Sequence, residues 1–460
     1  MAKIICITTG LTGILNASFE LINRLKKSGH EVSYASHRNV KEKVEQEGIK
    51  FTQLPDIQLD VSPELPHFQG AFRKIKRLSY KIKNAKQRRI LTLEKTIPFG
   101  FEAMLDKEKP DLVIIDIELH EYIFKANSKR QNFILLSQWF SLWKRKGLPY
   151  LLHDTIPQQG WSGSSIGLEF SWWQIKLKRW WTFTRKKILS GGTDRRSVLL
   201  ELAKQEGFSK KNITKNYWPG PFTYDKLPVI SMTALELEFP HEPRPNLFYV
   251  GSMVHEKRKE KASKGNHKYT IDEVLAYHNK IGGALLYCSV STLSKGDESF
   301  IKKIISAVKH KNNWVLIIGM GGLIGEEIFN DLPKNVFPFS YVPQLKVLKE
   351  ADISINHGGI HTINECIHFK VPMLIYSGKR SDQNGCAARI HYHGLGMMAD
   401  KDVDTPTDIC HKITEVLTNN TYSQKVEMMY GKNLKYKNNM VLEEIVENSL
   451  RNANKINADF

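Results

Sequence analysis

The chain has 460 residues, 41% hydrophobic and 25% charged, which excludes a disordered polypeptide and allows two or three domains with full cores. Lysine and arginine outnumber the acids 67 to 48, a formal net charge of +19, so an anionic partner is expected: nucleic acid, anionic lipid or a phosphorylated substrate. The apolar run Trp314 to Gly325 is too short and too rich in glycine to span a bilayer, Met-Ala-Lys opens without a signal-peptide pattern, and five scattered cysteines form no CxxC pair, so a reduced, cytoplasmic setting is expected with no disulfide framework and no structural zinc.

The first quarter alternates strand and helix. Strands are expected at Lys3–Ile7, Glu31–Ala35 and Lys50–Leu54, with helices over 16–28 and 39–47 between them. Further buried strands follow at Asp111–Asp116 and Phe133–Leu136. This order implies a parallel sheet with helices on both faces. The stretch Gly13-Ile14-Leu15-Asn16-Ala17-Ser18 lies between the first strand and first helix, where such domains place chemistry, yet it holds no group that titrates. It is either an active-site loop without its catalyst or a plain turn.

Two segments break the alternation. Residues 72–89 are dense in Lys and Arg without an acid, and Phe72, Ile75, Leu78 and Ile82 share a helical face. Residues 170–189 place Trp172, Trp173, Trp180 and Trp181 among Lys176, Lys178, Arg179, Arg185, Lys186 and Lys187. Three readings stand: a helix with solvated charges and its apolar face in the core, an interfacial contact with an anionic membrane, or, ranked last and not expected, nucleic-acid binding.

Pro and Glu accumulate over 225–247, as in an interdomain linker. A second series of strands is expected at Asn246–Val250, Ala284–Cys288, Trp314–Ile318, Asp352–Ile355 and Val371–Ile375. The run Gly319 to Gly325 misses the GxGxxG spacing at Ile324 and reads as a tight turn. Two doubly wound units place a ligand in the cleft between their C-terminal sheet edges.

In the second unit, Ile355 delivers His357, and Gly358-Gly359 lets backbone approach a ligand. A helix is expected to start near Thr362, its N–H groups and dipole suited to a diphosphate. Thr362 can cap that helix or bond a phosphate oxygen, and Glu365 can close a capping box or accept from ribose hydroxyls. A capped helix after a glycine turn explains the same residues without a ligand.

The lines YVPQ from Tyr341, NHGGIHTINECIHFKVPM from Asn356 and DQNGCAARIHYHGLG from Asp382 resemble the donor signature of UDP-dependent glycosyltransferases of GT-B fold. The last line is most similar to the carotenoid glucosyltransferase branch. At the other end, GILNASFELINRLKKSGHEV from Gly13 is similar to the family line GHxxPxxxLAxxLxxxGHxV, and Asp111–Asp116 to its PDxVxxD strand. The resemblance implies an α/β protein of GT-B fold, two doubly wound Rossmann-like domains facing across a cleft: an acceptor domain over 1–230, a linker over 231–247, a donor domain over 248–430, and a C-terminal helix over 431–460 packing back toward the first domain.

It also implies roles. Tyr341 stacks on uracil and the backbone of Val342 pairs with the base edge. Gln344 and Glu365 hold the ribose. His357, Gly359 and Thr362 hold the diphosphate, and Asp382 and Gln383 the sugar hydroxyls. The donor is a UDP-sugar, with no metal and no further cofactor, and the reaction inverts at the anomeric carbon. Cys386 stands where the family usually has Asn, and Ser289-Val290-Ser291-Thr292 where it has SxGS. The family's general base, a histidine in GHxxP, is replaced by Ile14, although Asp116, matching its orienting partner, is present. Three explanations stay open: another group serves (Asp116, Glu118 or His120), the acceptor is already acidic, or the chain is a nucleotide-sugar-binding auxiliary subunit of another glycosyltransferase. The acceptor expected beside the basic Trp segments is small and lipophilic.

Overall fold

A computed structural model describes the chain except residues 56–65, 67–68, 71, 215–219, 261–262, 264–268, 290–297, 323–331 and 459–460. Val290–Thr292 and the end of the glycine run, Ile324 and Gly325, therefore lie outside the described residues.

The strands are β1 (Lys3–Ile7), β2 (Glu31–Ser36), β3 (Phe51–Gln53), β4 (Leu112–Asp116), β5 (Phe133–Ser137), β6 (Ile213–Thr214), β7 (Thr223–Tyr224), β8 (Val229–Ser231), β9 (Leu247–Tyr249), β10 (Ala284–Ser289), β11 (Trp314–Gly319), β12 (Val336–Phe339), β13 (Ile353–Asn356), β14 (Met373–Tyr376) and β15 (Gly396–Ala399). Two parallel sheets result, ordered β3-β2-β1-β4-β5-β8-β9 and β12-β11-β10-β13-β14-β15, while β6 and β7 form a small antiparallel ribbon. Ile4, Ile5, Cys6 and Ile7 are all buried, because helices cover both faces of a parallel sheet and alternation is lost.

Two expectations change. The strand at Asn246–Val250 does not open the second sheet: β9 pairs in parallel with β8 at Val229↔Leu247, so the first sheet continues through residues read as linker. And GILNAS is not a loop. The helix begins at Thr12 and runs to Lys27, so Ile14 sits in its first turn, 0% exposed, within the cluster of Ile4, Cys6 and Ile22. The loop between β1 and that helix is the preceding Thr8–Leu11, with Gly10 at φ +71°.

The helix Val441–Ala458 crosses back to the first sheet's side. Leu442 and Val446 join the cluster of Ile22 and Leu25, and Glu443 accepts two hydrogen bonds from Arg24 at 2.8 and 2.6 Å. Among the described residues no helix is long and apolar enough to cross a membrane.

The basic segments form the helices Arg73–Lys83 and Ser165–Ser190, the second 26 residues long. They lie together: Lys81 Nζ donates to the carbonyl of Leu189 at 3.0 Å. Trp172 and Ile175 turn inward, but Phe72, Ile75, Trp173, Trp180 and Trp181 are all more than half exposed. Packing against the core therefore accounts for only part of this aromatic content.

Candidate functional site

The C-terminal edges of β1, β4 and β5 face those of β10, β11 and β13 across a cleft that several contacts close. The His361 ring fills the corner opened by Gly13, where an added Cβ would stand 2.6 Å from His361 Cδ2. His361 Nε2 and Gln138 Oε1 are 2.9 Å apart, so with that amide orientation Nε2 carries the proton and Nδ1 keeps its lone pair. Burial, with Arg258 adding to it, drops this imidazole to about 4, so it is neutral. Leu151 packs its carbonyl on Gly385, and Asn364 Nδ2 donates to the carbonyl of Met232 at 3.2 Å. Behind them Arg389, fully buried, donates to Glu238 through Nε at 2.6 Å and lies between the rings of Phe140 and Phe239 at 4.7 and 4.6 Å.

In the second domain, Gln344 and Glu365 come together: Gln344 Nε2 donates to Glu365, and Tyr287 Oη donates to Gln344 Oε1 at 3.1 Å. Arg258, from the loop after β9, donates to the other oxygen of Glu365 and to Glu260, which also accepts from the Leu345 amide at 2.9 Å. Arg258, Glu260, Gln138 and His361 were not singled out from the sequence. The first two sit in a run of mixed charge that reads as any solvated loop. The Tyr341 ring is 48% exposed, while its backbone pairs with Ser263, donating to Oγ at 2.9 Å and accepting from the amide at 3.0 Å. The half-buried Val342 packs against Gly319.

The segment expected to hold the diphosphate differs from the expectation at one point. The helix is Ile360–His368, capped by Gly359, so it starts two residues before Thr362. Thr362 is an interior first-turn residue and makes no side-chain cap, and Glu365 closes no capping box because Arg258 and Gln344 hold it. Gly358, at φ +81°, donates to Asn356 Oδ1 at 2.9 Å, and an added Cβ would meet the Gln383 carbonyl at 3.0 Å. That close approach brings His357 and Gly359 beside the start of the helix Gln383–Tyr392. Asp382 is buried, which raises its carboxyl, and it accepts from the Cys386 thiol at 3.2 Å; Cys386 thus fills the family's Asn position as a donor. Gln383 Oε1 accepts from the Arg380 amide at 3.4 Å.

The catalytic candidates separate. His120 is removed from the cleft: it is 3% exposed, its Nδ1 lies 2.6 Å from Tyr224 Oη, and Phe222 and Phe124 enclose it. Burial pushes it well below the usual histidine range. It is a satisfied core histidine, as apolar neighbours at Ile123 and Phe124 would have allowed. Asp116, at the end of β4, accepts from the amides of Thr9 at 3.3 Å and Glu118 at 3.1 Å. Glu118, half-buried, lies within electrostatic reach of both Asp116 and Asp382. Burial first, then these two carboxylates, push its carboxyl to about 8, while burial lifts Asp116 to about 6. The two titrate as a pair that holds one proton between those values. A carboxyl poised near neutral pH in a cleft is suited to proton transfer.

Residues 317–446 match the family described as erythromycin biosynthesis protein CIII-like, C-terminal domain. A UDP-glucosyltransferase of Bacillus subtilis (strain 168), YdhE, itself uncharacterized, is 31% identical over 163 residues, 35% of this chain and 40% of its own length. The zeaxanthin glucosyltransferase of Pantoea ananas is 25% identical over 206 residues, 44% of each protein. These alignments span about two fifths of the relatives' lengths. Across the whole fold, the glycotransferase of kitacinnamycin superposes with a TM-score of 0.67 at 17% identity, covering 97% of this chain and 98% of that one. The glycosyltransferase VinC in complex with DTDP does so at 0.60 and 15%, covering 98% and 100%. The fold is GT-B.

Proposed function

For a chain of GT-B fold whose C-terminal region is that of the EryCIII-like glycosyltransferases, we propose hexose transfer from a UDP-sugar to a small lipophilic acceptor, with inversion and without a metal. The first domain takes the acceptor and the second the donor. The observation that carries this reading is the Gln344–Glu365 pair beside the helix start at Gly359, within the region matched to the EryCIII-like family, with Glu118 in electrostatic reach of Asp382.

The chemistry follows from the residues. Tyr341 offers an open aromatic face to uracil, and the joined pair Gln344–Glu365 offers acceptors and donors to ribose. The amides of Gly359, Ile360 and His361, at the start of a helix, take the diphosphate charge as it develops, and this replaces a cation there. Asp382 and Gln383 hold sugar hydroxyls. The acceptor oxygen attacks the anomeric carbon from the face opposite UDP. The Glu118 carboxylate accepts the hydroxyl proton, the bond to the UDP oxygen breaks, and UDP leaves as the anion. Asp116 fixes the Glu118 backbone by accepting from its amide at 3.1 Å and acts on its carboxyl electrostatically. Ile14 has no part in this step, being in the core.

The exposed aromatic face of the two basic helices supports a peripheral stance on an anionic membrane, on its cytoplasmic side. Tryptophan and cations on one exposed surface are the composition of interfacial helices. Sedimentation with phosphatidylglycerol vesicles at low salt tests this; no co-sedimentation overturns it. UDP release from UDP-glucose across an acceptor panel tests the transfer. Binding of UDP with no turnover on any acceptor, unaltered by Glu118→Gln, identifies the auxiliary-subunit alternative instead.

A further inference from the structure

A cavity of about 590 Å³, lined by none of Asp116, Glu118 and Asp382, lies between the Trp-bearing helix Ser165–Ser190 and the start of the helix Arg195–Gln205. Its size is that of a small-molecule site. Its charge is one-sided. Lys178, Arg179, Lys186, Arg195 and Arg196 line it, against a single lining acid, Asp194.

Two acids among the described residues reach these cations, Glu121 and Asp194. Arg195 is paired with Glu121. Asp194 caps its helix, accepting from the Ser197 amide at 3.2 Å. Arg179 donates to Tyr150 Oη at 3.1 Å and to the Gly220 carbonyl at 2.8 Å. Arg196 lies over the Phe183 ring at 4.3 Å. Among the described residues no ion pair joins Lys178, Lys186 or Arg196 to a carboxylate. Burial pulls Arg196 below its usual range, with Arg179 adding to the shift and Asp194 opposing it. Leu152, Ile175 and Phe183 supply an apolar wall beside the charge. That wall leads toward the cleft: Leu151, next in chain, packs its carbonyl on Gly385, three residues beyond Asp382.

We infer that this cavity binds an amphiphile with an anionic head, a carboxylate or phosphate at Lys178, Lys186 and Arg196 and an apolar body along Leu152, Ile175 and Phe183. As the seat of an acceptor it rests on the proposed transfer reaction; as a binding site it does not. The excess of cations over acids favours an anion, and a partly enclosed site screens that attraction less than open water does.

The test is a fluorescence titration of the full chain with cis-parinaric acid and with its methyl ester. The acid is expected to bind at least about tenfold more tightly, with the preference falling as salt rises and vanishing in Lys178→Glu/Arg196→Glu. Equal binding of acid and ester, or binding of neither, overturns the inference. Should the double variant fail to fold, the acid-to-ester ratio and its salt dependence on the unaltered protein still decide. Inorganic phosphate separates a bare anion site from an amphiphile site: displacement of the acid at equal concentration removes the apolar half of the inference, and no displacement upholds it. UDP titrated into the same samples reports the donor site separately, so a failed transferase reading and a failed cavity reading give different results.

Discussion

Replacing Glu118 by Gln separates proton transfer from folding, because the structure sets opposite signs for the two. Burial, Asp116 and Asp382 raise the Glu118 carboxyl from 4.5 to about 8. The folded state therefore holds a proton that the unfolded state releases above about pH 4.5, so folding stability falls as pH rises through that window and levels off beyond about 8. At about 1.4 kcal/mol per unit, the ionised Glu118 of the native protein at pH 9 costs on the order of several kcal/mol. A neutral amide in its place carries no such cost. The variant should be more stable than the parent at pH 9, with a midpoint up by roughly 5–10 °C, and close to it at pH 5. Activity moves the other way. In the parent, the ionised fraction climbs from roughly a tenth at pH 7 to roughly nine tenths at pH 9, so kcat/KM for UDP-glucose should rise about tenfold over that range. In the variant the rate should drop about 10²–10⁴-fold and the limb should vanish. Thermal melts and initial rates of UDP release from pH 5 to 9 measure both. A variant that keeps the rate and the limb, or that loses stability at pH 9, refutes Glu118 as the proton acceptor.

Gly385→Ala should disturb the cleft without touching a titrating group, because the new Cβ would stand 1.9 Å from the Leu151 carbonyl oxygen; a cost of about 1–3 kcal/mol and a higher KM for donor are expected in melts and kinetics. Glu365→Gln should weaken UDP binding about tenfold or more by calorimetry, and the gap between UDP and 2′-deoxy-UDP should shrink, since Glu365 is the acceptor assigned to ribose. Glu238→Gln leaves Arg389 buried between two phenylalanines without its carboxylate, a loss of about 3–5 kcal/mol that a denaturant titration reads directly.

The alternation of apolar runs and helical faces made both sheets legible, since parallel strands covered on two sides need continuous apolar segments and their connections need helices. It misled at β9, where Leu247–Tyr249 has the composition of any buried strand and only its pairing with β8 assigns it to the first sheet. It misled again at Ile14. A buried residue in a helix's first turn and a loop residue facing a cleft differ in where the helix starts, and Leu11 offers no side-chain cap to mark that start. Gln344, Glu365, Asp382 and Gln383 were legible as donor candidates through the family resemblance of the motifs that carry them, and the structure brings the first two together. Arg258 and His361 were not, because each acquires its meaning from a partner distant in sequence: Glu365 for one, Gln138 and Gly13 for the other.

Burial raises the carboxyls of Asp116, Glu118 and Asp382, and His361 is neutral, so near pH 7 the Asp116–Glu118 pair holds one proton and one negative charge. A UDP-sugar brings a diphosphate, and that negative charge raises the neighbouring carboxyls further. Linkage is reciprocal: if donor binding strengthens the hold on the Glu118 proton, then loss of that proton weakens donor binding. The alkaline limb of kcat, which reports the donor-bound protein, should therefore lie above the limb of kcat/KM near pH 8, which reports the free protein. Between the two limbs KM for the donor should climb with pH while kcat still rises. A kcat limb below that of kcat/KM would mean that the donor stabilises ionised Glu118, which a carboxylate beside a diphosphate does not permit, and would move the proton acceptor away from the donor side of the cleft.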